Sequence, residues 1–448
     1  MAAVGGGPER GGEVVNKVMK KEEKYNQSGM GPEDLKRLKG ERPIYLWGAS
    51  IVGHGVCRAL ERCGLAPAAF LDRSPRLRGK KALGYPVWPP EVLLKQADAG
   101  AKAFIIIASG HYEDEIAGMC RQAGLRSGQD FISSRVLSPL DPSVDISGIC
   151  NLRCISCPRG NMAEKPPKGF MTPATFELVL DKLLQELPFM GNIQLYAWGE
   201  PLLHPQVAEI IRLTQSRRVL SAISTNLNVR RDLTEVIQAQ PDWLKISASG
   251  FGANYELTHT GGKWDLFHRN LYRLQELRER YHPTMYVEMN YHLYRHNQGE
   301  DYRQMARLCQ ELGFVFRPNW AYLYPLDNVL AYCQGKPLSP EARRTLDLLY
   351  LDLDQGLARA RSQAHLPCAE ARCFPIAWNL HVRSCGAFFL PTVVDNFLEI
   401  PLPEILRRRD ASGICQECQR HALHRFTSVY LEEAAPLSPG ETQQGAMA

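Results

Sequence analysis

Three cysteines stand within eight residues, at Cys150, Cys154 and Cys157. Thiolates spaced C-x3-C-x2-C can wrap one loop around a cube-shaped iron–sulfur cluster, which a fourth ligand would close. Three thiolates leave one iron open, the arrangement of a catalytic rather than a structural metal. The alternatives are a zinc loop or unliganded thiols. A second group follows near the other end: Cys368-x4-Cys373-x11-Cys385, then Cys415-x2-Cys418, with His421 and His424 but no cysteine beyond. It suits one further cluster or a structural zinc. Cys57, Cys63, Cys120, Cys309 and Cys333 are isolated and read as small apolar residues.

With the segments that follow it, the first loop resembles the radical S-adenosylmethionine (SAM) superfamily over roughly residues 140–325. In that family the open iron of a [4Fe-4S] cluster chelates SAM, and an electron from the cluster cleaves SAM to methionine and a 5′-deoxyadenosyl radical. The resemblance implies that Cys150, Cys154 and Cys157 are the cluster ligands. Ala197-Trp198-Gly199-Glu200-Pro201 is similar to the family's G-G-E-P segment, with Trp198 in place of the first glycine. It implies that Trp198, Gly199 and Glu200 hold the SAM amino group, Glu200 adding charge or fixing the turn. Ser224 and Asn226, in Ile223-Ser224-Thr225-Asn226, are expected at the SAM carboxylate or ribose, or else as helix caps. Ser247 or Ser249 is expected to line the same pocket.

The second cysteine group resembles the auxiliary-cluster region called SPASM, or its shortened twitch form, and Cys373-Phe-Pro-Ile-Ala-Trp378 looks like the start of that motif. Too few cysteines follow for two clusters, so the resemblance implies one auxiliary [4Fe-4S] cluster. Its expected ligands are Cys373, Cys385, Cys415 and Cys418, with Cys368 a spare or an alternative. Among twitch-type enzymes the chain is similar to those acting on aminoglycosides and related aminosugars. That likeness implies 1,2-diol dehydration, or oxidation, in secondary-metabolite biosynthesis, with a reductase or flavodoxin-type electron donor. Peptide modification and a non-enzymatic electron-transfer role are the alternatives.

Elements must position these residues. Apolar runs at 144–146, 192–198, 220–225, 243–247, 285–291 and 314–322 alternate with helical patterns, which predicts a partial (β/α)6 TIM-like barrel spanning 139–330. Chemistry in such barrels sits on the loops after the strands. Glu288, Asn290 and His292 alternate along the fifth strand and so share a face. With Asn319, Trp320, Tyr322 and Tyr324 they suit a sugar-like substrate. Glu288 is the preferred base for a carbinol proton, with Tyr196 and Asp145 as weaker candidates.

Ahead of the barrel, residues 41–138 read as strand, glycine turn, helix, strand, a Rossmann-like α/β domain. Its turn, Gly48-Ala49-Ser50-Ile51-Val52-Gly53, departs from the dinucleotide fingerprint at Ser50, while Asp72 stands where a ribose-binding acid would. Residues 1–40 read as a flexible leader with a basic run at Lys17–Lys24, 331–431 as a small iron–sulfur domain of twitch type, and 432–448 as a disordered tail. The chain is 448 residues long, 44% hydrophobic and 23% charged, which excludes a disordered or coiled-coil protein. A net charge of +5 does not point to nucleic acid, and no apolar run reaches a membrane span. The start lacks the pattern of a signal peptide, so a reducing cytoplasm is expected.

Overall fold

The computed structural model describes residues 29–94, 102–110 and 112–432. These fall into two compact units: one runs to Pro139 and includes Leu183–Gly191, and the other comprises Leu140–Lys182 and the chain from Asn192.

The first unit is built on strands β1 (Ile44–Trp47), β2 (Ala69–Leu71), β3 (Lys81–Ala82), β4 (Tyr85–Trp88), β5 (Phe104–Ile107) and β6 (Phe131–Ser133), in the order β3-β4-β2-β1-β5-β6. All pairings are parallel except β3 with β4. Every residue of β5 is buried, as a parallel strand covered on both faces requires. The glycine turn is real and tight. Gly48 has φ +122°, and a Cβ on Gly53 would lie 1.8 Å from the Gly48 carbonyl oxygen. Asp72 clamps this turn: its carboxylate accepts from the backbone N–H of Ala49 (2.9 Å) and of Ser74 (2.8 Å). The helix Pro32–Lys39 buries Leu35 in the core with Ile44 and Phe70, so the leader expected to reach residue 40 ends before it. The basic run Lys17–Lys24 and the tail from residue 433 lie outside the described residues.

The second unit carries β7 (Asp141–Asp145), β8 (Asn192–Gln194), β9 (Leu220–Thr225), β10 (Trp243–Ala248), β11 (Tyr286–Leu293) and β12 (Val315–Trp320). They pair in parallel and in chain order, an open, partial (β/α)6 barrel. Side-chain alternation divides its faces. Leu244, Ile246, Ala248, Val287, Met289 and Tyr291 are buried. Lys245, Ser247, Glu288, Asn290 and His292 point the other way, into the lumen. The sheet continues past β7 through β13 (Cys373–Ala377), β14 (Val382–Arg383) and β15 (Thr392–Val394). β13 runs parallel to β7, with Cys373 opposite Asp141 and Ala377 opposite Asp145. Main-chain bonding therefore ties the C-terminal cysteines to the first barrel strand. Among the described residues no helix is long and apolar enough to cross a membrane.

Candidate active site

The three-cysteine loop leaves β7 and lies over the ends of the next three strands. The Arg153 N–H donates to Thr260 O (2.9 Å) and the Ile155 N–H to Thr258 O (3.3 Å), both after β10. Asn226, after β9, points Nδ2 at Asn151 Oδ1 (3.1 Å) and at Cys150 Sγ (3.6 Å). Buried Arg159 donates to the carbonyls of Trp198, after β8, and Gly148. Burial pushes all three thiols up, Cys150 to about 12, and Cys154 is raised further by the other two. Such a loop holds neutral thiols until bound cations supply the charge that makes them thiolates. Among the described residues no three Cys, His, Asp or Glu side chains converge as ligands of one metal ion would. Thiolates on separate corners of a cubic cluster stand wider apart than that, so three neighbouring thiols on one loop fit a cluster.

The segment after β8 is held from below. Both oxygens of Asp145 accept backbone N–H groups, from Ala197 (3.2 Å), Trp198 (3.1 Å) and Gly199 (3.3 Å). Asp145, expected as an alternative base, clamps the segment that the resemblance gives to SAM. A Cβ on Gly199 would lie 1.4 Å from the Ser147 carbonyl oxygen, so only glycine fits. Glu200 fixes the turn: Oε1 accepts from Leu202 N (3.0 Å) and Oε2 from Asn226 N (2.8 Å), joining the segments after β8 and β9. Burial pushes its carboxyl up to about 7. Asn226 spends its side chain on the cysteine loop and on the Asn228 N–H (2.8 Å).

Lumenal residues form rungs across the sheet. Register places Ser224, Lys245 and Glu288 side by side. Lys245 bonds Tyr196 and lies 3.6 Å from Glu288 Oε1, while Arg317 Nε lies 3.2 Å from Oε2. Glu288 is thus buried between two cations. The next rung sets Asn290 beside Ser247 and Arg317, and above it His292 pairs with Asn319. Asn290 bridges the last two rungs, through His292 Nε2 (3.1 Å) and Asn319 Nδ2. Burial and the nearby Lys245 charge lower His292 to about 4, so it is neutral near pH 7. Ser249, for its part, bonds His259 Nδ1 (2.9 Å) and Thr258.

The five C-terminal cysteines also come together. Burial pushes the Cys418 and Cys373 thiols up, and neighbours raise them further: Cys368, Cys385 and Cys415 beside Cys418, and Glu370 and Cys385 beside Cys373. Between the two cysteine groups the Trp198 and Tyr324 rings sit 5.0 Å apart, and Tyr324 Oη donates to the carbonyl of Gly386, next to Cys385 (2.6 Å). Trp378 lies against Gly148 and Gly169, where a Cβ would come within 2.3 Å of its ring, and donates to Pro167 O (3.2 Å). Sequence reasoning missed Arg159, Lys245 and Arg317. Arg159, two residues past Cys157, and Lys245, inward by alternation, carried a signal; Arg317 carried none.

No protein-family model and no curated protein matches the chain. Solved structures do. Streptococcus suis SuiB bound to the precursor peptide SuiA is 14% identical over 60% of this chain, with a TM-score of 0.41; the match spans 64% of SuiB, less than two thirds of it. BtrN in complex with AdoMet and 2-DOIA is 16% identical over 66% of this chain and 92% of BtrN, with a TM-score of 0.36. AnSMEcpe with bound AdoMet is 15% identical over 65% of this chain and 84% of its own, with a TM-score of 0.41. In its cysteine loop and its open parallel barrel with a cysteine-bearing extension, the chain is similar to the radical SAM enzymes of SPASM and twitch type.

Proposed function

We propose that the chain is a radical SAM enzyme that abstracts hydrogen from a carbinol carbon of a sugar-like substrate. Dehydration of a 1,2-diol is the favoured outcome and oxidation the next. The observation that carries the reading is the three-thiol loop lying over the ends of β8, β9 and β10, above a lumen lined by polar side chains. Cys150, Cys154 and Cys157 would hold the cluster, which with SAM supplies a hydrogen-abstracting 5′-deoxyadenosyl radical when bound. Gly199 lets its strand end approach Ser147, and Asp145 and Glu200 keep that segment in place. Ser224, Ser247, Asn290 and Asn319 offer hydrogen bonds to hydroxyl groups. Glu288 accepts the hydroxyl proton, held in position by Lys245 and Arg317. A reductase or flavodoxin-type protein would donate the electron, and Cys373, Cys385, Cys415 and Cys418 would hold one auxiliary cluster, with Cys368 a spare or an alternative.

Anaerobically reconstituted protein, given SAM and a reductant, should form methionine and 5′-deoxyadenosine in equal amounts. Sugars deuterated at carbinol carbons should pass deuterium into 5′-deoxyadenosine. Absence of SAM cleavage removes the enzyme reading, and deuterium transfer from peptides alone removes the substrate class. Glu288→Gln should still cleave SAM and accept deuterium but complete the reaction about 100-fold more slowly.

A further inference from the structure

Of the described arginines only Arg159 and Arg383 are buried, and they differ in what they bond. Arg159 donates to the carbonyls of Trp198 and Gly148. Arg383, on β14, is 7% exposed, and among the described residues its guanidinium donates no hydrogen bond and joins no ion pair. Its Cζ stands over two rings, 5.6 Å from the centroid of Trp198 and 5.3 Å from that of Phe389. Those rings attract the charge but leave its five N–H groups without acceptors. The two carboxylates near enough to act on its charge are engaged by backbone N–H groups. Asp145 accepts from Ala197, Trp198 and Gly199, and Asp327 from Phe389 (2.7 Å) and Leu390 (3.3 Å). The lumen's other cations, Lys245 and Arg317, are held by Glu288. The guanidinium nitrogens are not sealed in protein, unlike the partnerless indole N–H of Trp198. A buried charged donor without an acceptor is costly. An oxyanion would meet it, because the planar fork of a guanidinium matches a carboxylate or phosphate through two parallel bonds.

We propose that Arg383 binds a carboxylate or phosphate group of the substrate, which makes the sugar-like molecule an acidic one. This rests on the reading that the site takes a sugar. Arg383 is then a specificity-determining residue: a neutral substrate leaves its fork unpaired, and an acidic one completes it.

The test uses the full chain, reconstituted anaerobically, with inorganic phosphate as the probe and isothermal titration as the measurement. The unchanged protein should bind about one phosphate per chain, and Arg383→Met should bind it at least about 10-fold more weakly, since a charged two-bond contact is lost. Arg383→Lys keeps the charge without the fork and should fall between the two. Circular dichroism reports whether Arg383→Met keeps the fold; if it does not, Arg383→Lys decides. No phosphate binding, or equal affinity in all the folded chains, overturns the proposal and leaves Arg383 a counter-charge to Asp145 and Asp327. Phosphate binding that disappears once SAM is bound assigns the site to the SAM carboxylate and overturns it equally. Glucose 6-phosphate should displace the phosphate, and glucose should not. Phosphate held by Arg383 but displaced by neither compound keeps the acidic substrate and removes the sugar reading.

Discussion

The two cysteine groups reach their sites by different routes. The barrel group is local: three thiols in one loop, aimed by hydrogen bonds from Arg153 and Ile155 and by contacts with Arg159 and Asn226. The C-terminal group is assembled from distant pieces: the turn before β13 and its first residue, the segment after β14, and the helix Gly413–Arg420. A loop that carries its own ligands is specified by spacing. A site gathered from several elements is specified by the sheet and helices beneath it.

The sharpest way to break this comparison is to remove one thiol from each group. Cys154→Ala should abolish SAM cleavage, because two thiolates cannot hold the open cluster. Cys415→Ala should retain SAM cleavage and lose product formation. Methionine, 5′-deoxyadenosine and product, measured by liquid chromatography, separate the two outcomes, and normal product from the Cys415 variant would leave the auxiliary site without a required role. Next in size is a pair of glycines. Gly199→Ala puts a methyl group 1.4 Å from a backbone oxygen that cannot step aside, and should cost about 3 kcal/mol or more in urea unfolding. Gly386→Ala meets Cys373 Cβ at 3.1 Å, and should cost about 1 kcal/mol or less because a small side chain can shift. Equal costs would deny the closer fit of the barrel loop.

A smaller effect comes from pH. His292 is lowered to about 4 from an ordinary 6.5, so below pH 6.5 the unfolded chain binds the proton that the folded chain refuses. Its contribution is present above that pH and is lost as pH falls toward 4. Between pH 7 and pH 5 the loss should be about 2 kcal/mol, and His292→Gln should lack it. Parallel pH dependence in the two proteins would mean that His292 is freely protonated in the fold.

Much of this was legible in the residues. Strand periodicity located all six barrel strands, and the spacing of Cys150, Cys154 and Cys157 marked the loop that the fold sets over the strand ends. Alternation correctly put Glu288, Asn290 and His292 on one face. It said nothing of their partners, because Arg317 reaches Glu288 from a strand 29 residues further on. Asp145 looked like a cavity carboxylate since it just precedes the cysteine loop, yet three backbone N–H groups from the next strand's loop donate to it. β13 was not seen as a strand: five residues, Cys-Phe-Pro-Ile-Ala, carry too little pattern, and only the β7 edge makes them one.

The pairing of β13 with β7 also sets an order of events during synthesis. Its partners, such as Asp141 and Cys373, lie 232 residues apart, so the first barrel strand is made long before its second neighbour exists. Until then that strand offers an open edge of unpaired N–H and C=O groups, the kind of template on which chains aggregate. Closing so long a loop is slow, which lengthens the exposure. A chain truncated before residue 373 should therefore lose solubility as well as its C-terminal cysteines, and the full chain should become protease-resistant in this unit only once its last strands have left the ribosome.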